Sequence, residues 1–270
     1  MSRRVVFFSG GIGSWAAAKR VAEQHGTEGL TLLFTDTRTE HPDTYRFLRE
    51  AAANVGGQLV EIADGRNIWQ VFRDVRMLGN ARVDPCSRIL KRDLSRTWLE
   101  PNRSPEDTTL YVGVDWTEQH RWERMRERWL PWRVEAPLCD RPLLDKTDMH
   151  EWAKREGLRK QYLYENGSPH ANCGGGCVKM GQGGFARLYQ TAPHTFAEWE
   201  RNEAALREQL GDVAILRDRT GGHTRPMPLS ELRERIEARG TLDMFDIGGC
   251  GCFVDDAPAT RETTKGETHG

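Results

Sequence analysis

The chain has 270 residues, and its 39 Lys and Arg against 40 Asp and Glu exclude a global charge field that would recruit nucleic acid or a membrane surface. No apolar run is long enough to span a membrane, and the charged start lacks the apolar core and cleavage site of a signal peptide, so we expect a cytoplasmic protein without a membrane partner. In that compartment the six cysteines favour metal or redox chemistry over disulfides.

Strand-like and helix-like segments alternate through the first two-thirds of the chain. Apolar runs predict five strands, at Val5–Phe8, Leu30–Thr35, Gln58–Ile62, Thr109–Val114 and Arg133–Ala136. Between and after them, amphipathic patterns predict helices at Ser14–Gln24, Pro42–Ala53, Ile68–Met77, Ser87–Leu99 and Lys146–Glu156. This order predicts an α/β fold, a parallel sheet with helices on both faces and ligand sites at the carboxyl ends of the strands.

The composition changes after residue 166. A Gly/Cys-rich stretch at 172–184 precedes amphipathic helices predicted at Thr195–Leu210 and Leu229–Ala238, and a second Gly/Cys cluster follows at 248–252. From about residue 256 the sequence is polar. We therefore predict an α/β domain over residues 1–166, a small, mostly helical, Cys-rich region over 167–255 and a polar tail over 256–270.

A glycine turn joins the first predicted strand to the first predicted helix. Residues 9–14 read Ser-Gly-Gly-Ile-Gly-Ser, and Gly10 and Gly11 allow backbone N–H groups to approach a phosphate closely. Ser9 and Ser14 add hydroxyl donors, and the helix dipole favours a negative charge. The pattern is neither G-x-x-x-x-G-K-[ST] nor G-x-G-x-x-G, which argues against the usual triphosphate and dinucleotide motifs. It predicts an anion site, with a plain glycine turn as the alternative.

This turn resembles the PP-loop of the ATP pyrophosphatase superfamily, which binds the pyrophosphate of ATP and cleaves between the α- and β-phosphates. Further segments resemble, in the same order, the phosphoadenosine phosphosulfate (PAPS) reductase-like branch of that superfamily. They are residues 34–44, 84–91, 113–121, 142–148 and 158–167. The resemblance covers roughly residues 4 to 180 and implies that the α/β domain is an adenine nucleotide α-hydrolase-like (HUP) nucleotide-binding domain.

The resemblance also implies a set of site residues. The nucleotide would be held by Ser9, Gly10, Gly11, Ile12, Gly13, Ser14, Asp36, Thr37, Gly113 and Glu118. Ser9, Lys91 and Arg121 would be catalytic, the two cations neutralising charge on the leaving group. Mg²⁺ would bridge phosphate oxygens, with Asp36 or Asp115 as an outer partner. Ile12 and Gly13 stand where the family often has Lys or Asp, so we expect backbone contacts from the turn itself.

Glycines separate the later cysteines within two pairs. Three lie between Cys173 and Cys177 and one between Cys250 and Cys252, which would let thiolates converge on one centre, with a spacing unlike that of a zinc ribbon. In relatives such as adenylylsulfate reductases and the ATP pyrophosphatases of DNA phosphorothioation, a cysteine at the position of Cys86 and a later pair hold a [4Fe–4S] cluster. The resemblance implies that cluster here, with Cys252 or Cys250 as fourth ligand. Zinc and unliganded thiols are the alternatives.

The implied function is that of an ATP pyrophosphatase that adenylates an acceptor, releasing pyrophosphate and then AMP, for iron–sulfur-dependent sulfur transfer. The acceptor would be a nucleic acid or a small molecule, and the sulfur donor would be a protein such as a cysteine desulfurase. The sequence is also compatible with an oligomer. One alternative is a PAPS or adenylylsulfate reductase that releases sulfite, although residues 248–253 differ from the terminal Glu-Cys-Gly motif of PAPS reductases. Another is a nucleotide-binding sensor of iron or oxidant without enzymatic activity.

Arginines and tryptophans alternate through residues 121–133. The stretch favours a helix with Glu–Arg pairs whose tryptophans pack into the domain, because Glu123 and Glu127 dilute the positive charge. Docking of a nucleic acid on stacked indoles is the alternative.

Overall fold

Five parallel strands form the centre of the fold. The structure is a computed structural model that describes residues 3–240, 242–244, 246 and 248. The strands are β1 (Arg3–Phe7), β2 (Leu30–Asp36), β3 (Gln58–Ala63), β4 (Thr108–Tyr111) and β5 (Arg133–Glu135). Their order in the sheet is β3-β2-β1-β4-β5, with every neighbouring pair parallel. All five predicted strands are present, and β4 ends at Tyr111, before the segment 112–114 enters the site.

Helices connect the strands and continue beyond them. They are α1 (Ile12–His25), α2 (Pro42–Val55), α3 (Ile68–Asp74), α4 (Pro85–Ser87), α5 (Leu94–Asn102), α6 (Gln119–Arg128), α7 (Lys146–Arg155), α8 (Tyr162–Glu165), α9 (Gln182–Thr191), α10 (Pro193–Leu210) and α11 (Leu229–Glu237). The predicted helix Ser87–Leu99 is interrupted by a π-helical segment, Arg88–Asp93. Two short antiparallel strands, β6 (Leu216–Asp218) and β7 (Arg225–Met227), precede α11.

The two faces of the sheet carry separate apolar layers. Along β1 and the residue after it, Val6 and Phe8 pack with α1 and α2 on one face, whereas Val5 and Phe7 pack with residues of α5 and α6 on the other. This alternation is the pleat of a strand buried on both sides. The predicted fold class, a parallel sheet with helices on both faces, is therefore confirmed.

A third apolar cluster contains most of the later helices. Trp199 of α10 and Phe185 of α9 pack in it together with Trp69 and Phe72 of α3 and with Leu90. Residues after 166 therefore share a core with α3 and the π-helical segment.

Among the described residues, no helix combines the length and apolar character needed to cross a membrane.

The tryptophans of the stretch 121–133 pack inward, as the preferred interpretation predicted. Trp129 and Trp132 are buried, and the indole Nε1 of Trp122 donates to the Val134 carbonyl at 3.0 Å. Arg126 lies over the Trp122 ring. These three indole rings are therefore part of the core on that face of the sheet.

Candidate functional site: a phosphate cradle beside a thiol cavity

The turn between β1 and α1 has the geometry of an anion cradle. Gly11 precedes the first residue of α1 without a side-chain cap, and the first turn of the helix carries no acidic residue. The first intrahelical bond is donated by the Trp15 N–H to the Gly11 carbonyl, so the N–H groups of Ile12, Gly13 and Ser14 have no intrahelical acceptor. Ser14 Oγ donates to the Gly11 carbonyl at 2.8 Å, which closes the turn. These N–H groups and the helix dipole favour an anion at this position.

Two glycines of the turn are required by their surroundings. Gly10 has φ +75°, and its carbonyl accepts a hydrogen bond from Nε2 of buried Gln161 at 3.0 Å. Gly13 lies against Gly113, where a Cβ on Gly113 would be 2.7 Å from the backbone of Gly13 and of Ser14. The segment that follows β4 therefore supports the cradle by direct backbone contact.

The turn opens into a cavity at the carboxyl ends of β1 and β4, here called the loop cavity. From the predicted set it is lined by Ser9, Gly11, Ile12, Gly13, Ser14, Gly113, Glu118 and Arg121. Arg121 forms an ion pair with Glu118 across one turn. Asp115 lines the same cavity and caps the turn that follows it, accepting from the Thr117 N–H at 2.9 Å. Most of the nucleotide-binding and catalytic residues predicted from the sequence therefore line this cavity.

The loop cavity is also lined by residues that the sequence did not indicate as site residues. Lys146, Tyr164 and Asn172 line it, and the Tyr164 ring lies 4.7 Å from the ring of His150. The Lys146 ammonium donates to the Pro169 carbonyl at 2.8 Å. The sequence contains one local signal for the position of Lys146. Asp145 and Asp148 form a capping box, which makes Lys146 the first residue of α7.

Asp36, the last residue of β2, and Thr37 after it do not line the loop cavity. Asp36 accepts from the Tyr45 hydroxyl at 2.7 Å and from the Arg38 N–H at 2.8 Å. Burial and this bond to Asp36 raise the pKa of Tyr45. Thr37 donates its hydroxyl to Glu40 at 3.0 Å and lines a second cavity.

Three of the predicted metal ligands meet at that second cavity, here called the thiol cavity. Cys86 comes from α4, and Cys173 and Cys177 from the Gly-rich loop before α9. Lys91 also lines this cavity and is only 3% exposed, so the structure places this predicted catalytic lysine among the thiols. Lys179 lines it as well.

A buried carboxylate lies between cations at this cavity. Asp84 is 3.9 Å from the Lys179 ammonium and 3.7 Å from the Arg92 guanidinium. Burial, together with the charge of Asp84, raises the pKa of Cys86 to about 12, and the Lys91 charge acts against this shift. In the absence of a bound group, the Cys86 thiol therefore stays protonated at neutral pH.

Cys173 has a backbone conformation that is unusual outside glycine. Its φ is 54° and its ψ 38°, and its N–H donates to a carboxylate oxygen of buried Glu40 at 2.6 Å. The preceding residue, Asn172, lines the loop cavity, whereas Cys173 lines the thiol cavity. One peptide bond therefore joins the walls of the two cavities.

The residue types at the thiol cavity fit a metal–thiolate group, because three cysteines line it beside two lysines that would offset thiolate charge. The part of the chain that the structure describes holds no group of three or more His, Cys, Asp or Glu side chains arranged to bind a metal ion. The other two predicted ligands, Cys250 and Cys252, lie outside the described residues.

No family model matches this chain, and no curated protein matches it. Among solved structures, the chain is similar to the phosphoadenylyl-sulfate (PAPS) reductase from Candida auris, determined as a phosphate complex. The TM-score is 0.42 at 13% sequence identity, over 61% of this chain and 78% of that chain. The α/β assignment of this chain rests on its own sheet topology.

Proposed function

We propose that this chain is a PP-loop ATP pyrophosphatase that adenylates an acceptor and then transfers sulfur to it. The observation that carries the proposal is the position of the two cavities. A cradle of unpaired helix N–H groups lies on one side of the Asn172–Cys173 peptide, and three cysteines lie on the other. A site built this way can hold an activated nucleotide next to the cysteines whose thiols would take part in sulfur transfer.

In the first half-reaction the cradle holds the β- and γ-phosphates of ATP. The N–H groups of residues 12–14 and the hydroxyl of Ser9 donate to phosphate oxygens, and Arg121 neutralises charge on the leaving group. An oxygen of the acceptor attacks the α-phosphorus, the bond to the bridging oxygen breaks, and pyrophosphate leaves with the electron pair while water takes the acceptor proton. Asp115 and Glu118 are oxygen donors of the kind that Mg²⁺ prefers.

In the second half-reaction a sulfur nucleophile displaces AMP from the adenylated acceptor. Cys86, Cys173 and Cys177 would hold a [4Fe–4S] cluster, with Cys250 or Cys252 as fourth ligand, and a zinc ion is the alternative. Such a cluster would supply an iron site that holds sulfur. A cysteine desulfurase fits the role of sulfur donor, and the acceptor is a nucleic acid or a small molecule.

The first test uses ATP labelled at the α-phosphate and anaerobically purified protein. We expect AMP and pyrophosphate to form, with a strong loss in Arg121→Met. Arg126→Met is the matched control, because Arg126 lies on the same helix but stacks outside the cavity on Trp122. Sulfite release from PAPS, with no pyrophosphate from ATP, would contradict the proposal.

The second test concerns the thiol cavity. Iron and acid-labile sulfide are measured in the purified protein, in Cys86→Ser and in Cys139→Ser. We expect iron in the wild-type protein and in Cys139→Ser, and its loss in Cys86→Ser. Cys139→Ser is the control, because Cys139 lies outside the thiol cavity and contacts the Val114 carbonyl. If the protein is colourless and holds one zinc per chain, zinc takes the place of the cluster in the proposal.

A sulfonucleotide reductase is the second candidate, and the closeness of thiols to the cradle favours it. A reductase of this kind needs a thiolate that attacks the sulfur of the bound nucleotide. Burial opposes that role for a free Cys86, since its pKa is raised to about 12. The PAPS arm of the first test separates the two functions.

A further inference from the structure

The loop cavity contains a cation that the pyrophosphatase reaction, as assigned above, does not use. Lys146, the first residue of α7, lines the same cavity as the cradle. Its ammonium donates to a neutral acceptor, the Pro169 carbonyl, at 2.8 Å. It forms no ion pair with any residue that the structure describes. Among the described residues, the Lys146 ammonium therefore lies at the cavity without a direct ion-pair partner.

The other charged side chains in the wall show what Lys146 adds for an anionic ligand. Among the described lining residues, Asp115 and Glu118 carry negative charge, and Arg121 is held in an ion pair by Glu118. Without Lys146 these lining side chains would sum to a net charge of −1, which opposes the binding of a polyphosphate. The resemblance assigns the second neutralising cation to Lys91, but that side chain lies in the thiol cavity.

We propose that Lys146 is a phosphate-binding residue of the loop cavity. On nucleotide binding its ammonium leaves the Pro169 carbonyl and donates to a phosphate oxygen, so that both Arg121 and Lys146 contact the polyphosphate. The exchange costs one hydrogen bond to a neutral carbonyl and gains one to an anion, which is the stronger kind. This inference deepens the proposed function and rests on it.

The test compares Lys146→Met, Lys146→Arg and Lys154→Met by titration calorimetry with three probes. The probes are inorganic pyrophosphate, α,β-methylene-ATP and adenosine. Lys154→Met is the matched control, because Lys154 is an exposed lysine of the same helix that does not line the loop cavity. A thermal unfolding curve of each variant establishes that it is folded.

We expect Lys146→Met to bind pyrophosphate and the ATP analogue about tenfold or more weakly than the wild type, as the loss of one charge-assisted hydrogen bond predicts. Lys146→Arg should retain most of the affinity, and adenosine should bind equally to all proteins. Pyrophosphate affinity in Lys146→Met equal to that of the wild type overturns the inference.

The outcomes separate this inference from the proposed function. Wild-type protein that binds pyrophosphate but not the ATP analogue contradicts the pyrophosphatase function, while the effect of Lys146→Met on pyrophosphate still decides the role of Lys146. Wild-type protein that binds neither probe overturns both.

Discussion

At the scale of single residues, Cys173 is the most constrained position between the two cavities. A left-handed conformation at a non-glycine residue costs about 1–3 kcal/mol and persists only where its surroundings impose it. Here a carboxylate oxygen of Glu40 accepts the Cys173 N–H at 2.6 Å, and the other oxygen accepts the Thr37 hydroxyl. Glu40 is therefore the residue that holds Cys173 in place.

Replacing Glu40 should destabilise the protein. We expect Glu40→Ala to lower the free energy of unfolding by about 1–3 kcal/mol, because a buried N–H loses its acceptor. Urea unfolding measures the change. Glu61→Ala, at an exposed position of β3, is the control and should stay within about 0.5 kcal/mol of the wild type. Equal losses in the two variants would contradict the role of Glu40.

His150 makes stability depend on pH. Burial, and then the charges of Lys160 and Lys146, lower its pKa to about 4, whereas an unfolded histidine titrates near 6.5. Between these values the unfolded chain binds a proton that the folded chain does not bind, so stability falls as the pH drops from about 6.5 towards 4.

Urea unfolding across this pH window tests that dependence. We expect His150→Gln to flatten the pH dependence between about 6.5 and 4, since the variant has no titrating side chain at this position. Exposed His194 on α10 offers a control, and His194→Gln should retain the wild-type slope. A wild-type slope in His150→Gln would show that another group is responsible.

The sequence indicated the turn and Arg121 at the loop cavity, but it did not indicate that Lys91 lies at the thiol cavity. Strand, glycine turn and helix are contiguous, so Ser9–Ser14 could be recognised from local pattern alone. Lys91 and Lys146 reach their cavities through the packing of distant segments. Nothing in the spacing of the sequence indicates which of the two lysines faces the cradle.

At the scale of elements, alternation of apolar segments predicted all five strands of the sheet. The sequence did not predict the π-helical segment Arg88–Asp93, because one extra residue per turn changes the backbone bonding without changing the apolar pattern enough to be seen. The strands β6 and β7 have three residues each, too few to show a period of two.

The segment after β4 contacts the cradle through Gly113, and a single added methyl group should disrupt this contact. In Gly113→Ala the new Cβ would lie 2.7 Å from the backbone of both Gly13 and Ser14, so the cradle must shift. We expect pyrophosphate release from ATP to fall about tenfold or more, with about 1–3 kcal/mol lost in stability.

A second glycine provides the comparison for this prediction. Gly65 has φ +101° with no atom near its absent Cβ, so Gly65→Ala strains the backbone away from the site. We expect it to lower stability and to leave pyrophosphate release per folded molecule unchanged. Equal rates of release in Gly113→Ala and the wild type would show that the contact does not position the cradle.

At the scale of the whole molecule, one apolar cluster ties the Cys-rich loop to the rest of the chain. Trp199 packs against Trp69 of α3 and Phe185 of α9, and its indole lies where a Cβ of Gly176 would be. The change in composition at residue 166 gave no sign of the contact with α3, because Trp199 and Trp69 are more than a hundred positions apart.

Removing this indole should unfold the later helices and loosen the thiols together. We expect Trp199→Ala to cost about 3–5 kcal/mol, as truncation of a buried aromatic does, and to speed alkylation of Cys177 in metal-free protein. Urea unfolding and mass spectrometry of the labelled peptide measure the two effects. Trp116→Ala is the control, since that indole is 44% exposed. An unchanged alkylation rate would contradict the coupling.

The peptide unit between Asn172 and Cys173 is rigid and planar, so its two ends turn as one body. A displacement of Asn172 in the loop cavity therefore moves the Cα of Cys173 unless the single-bond torsions beside the unit change. Under the proposed function, binding at the phosphate side would alter the torsion angles at Cys173, next to the thiols.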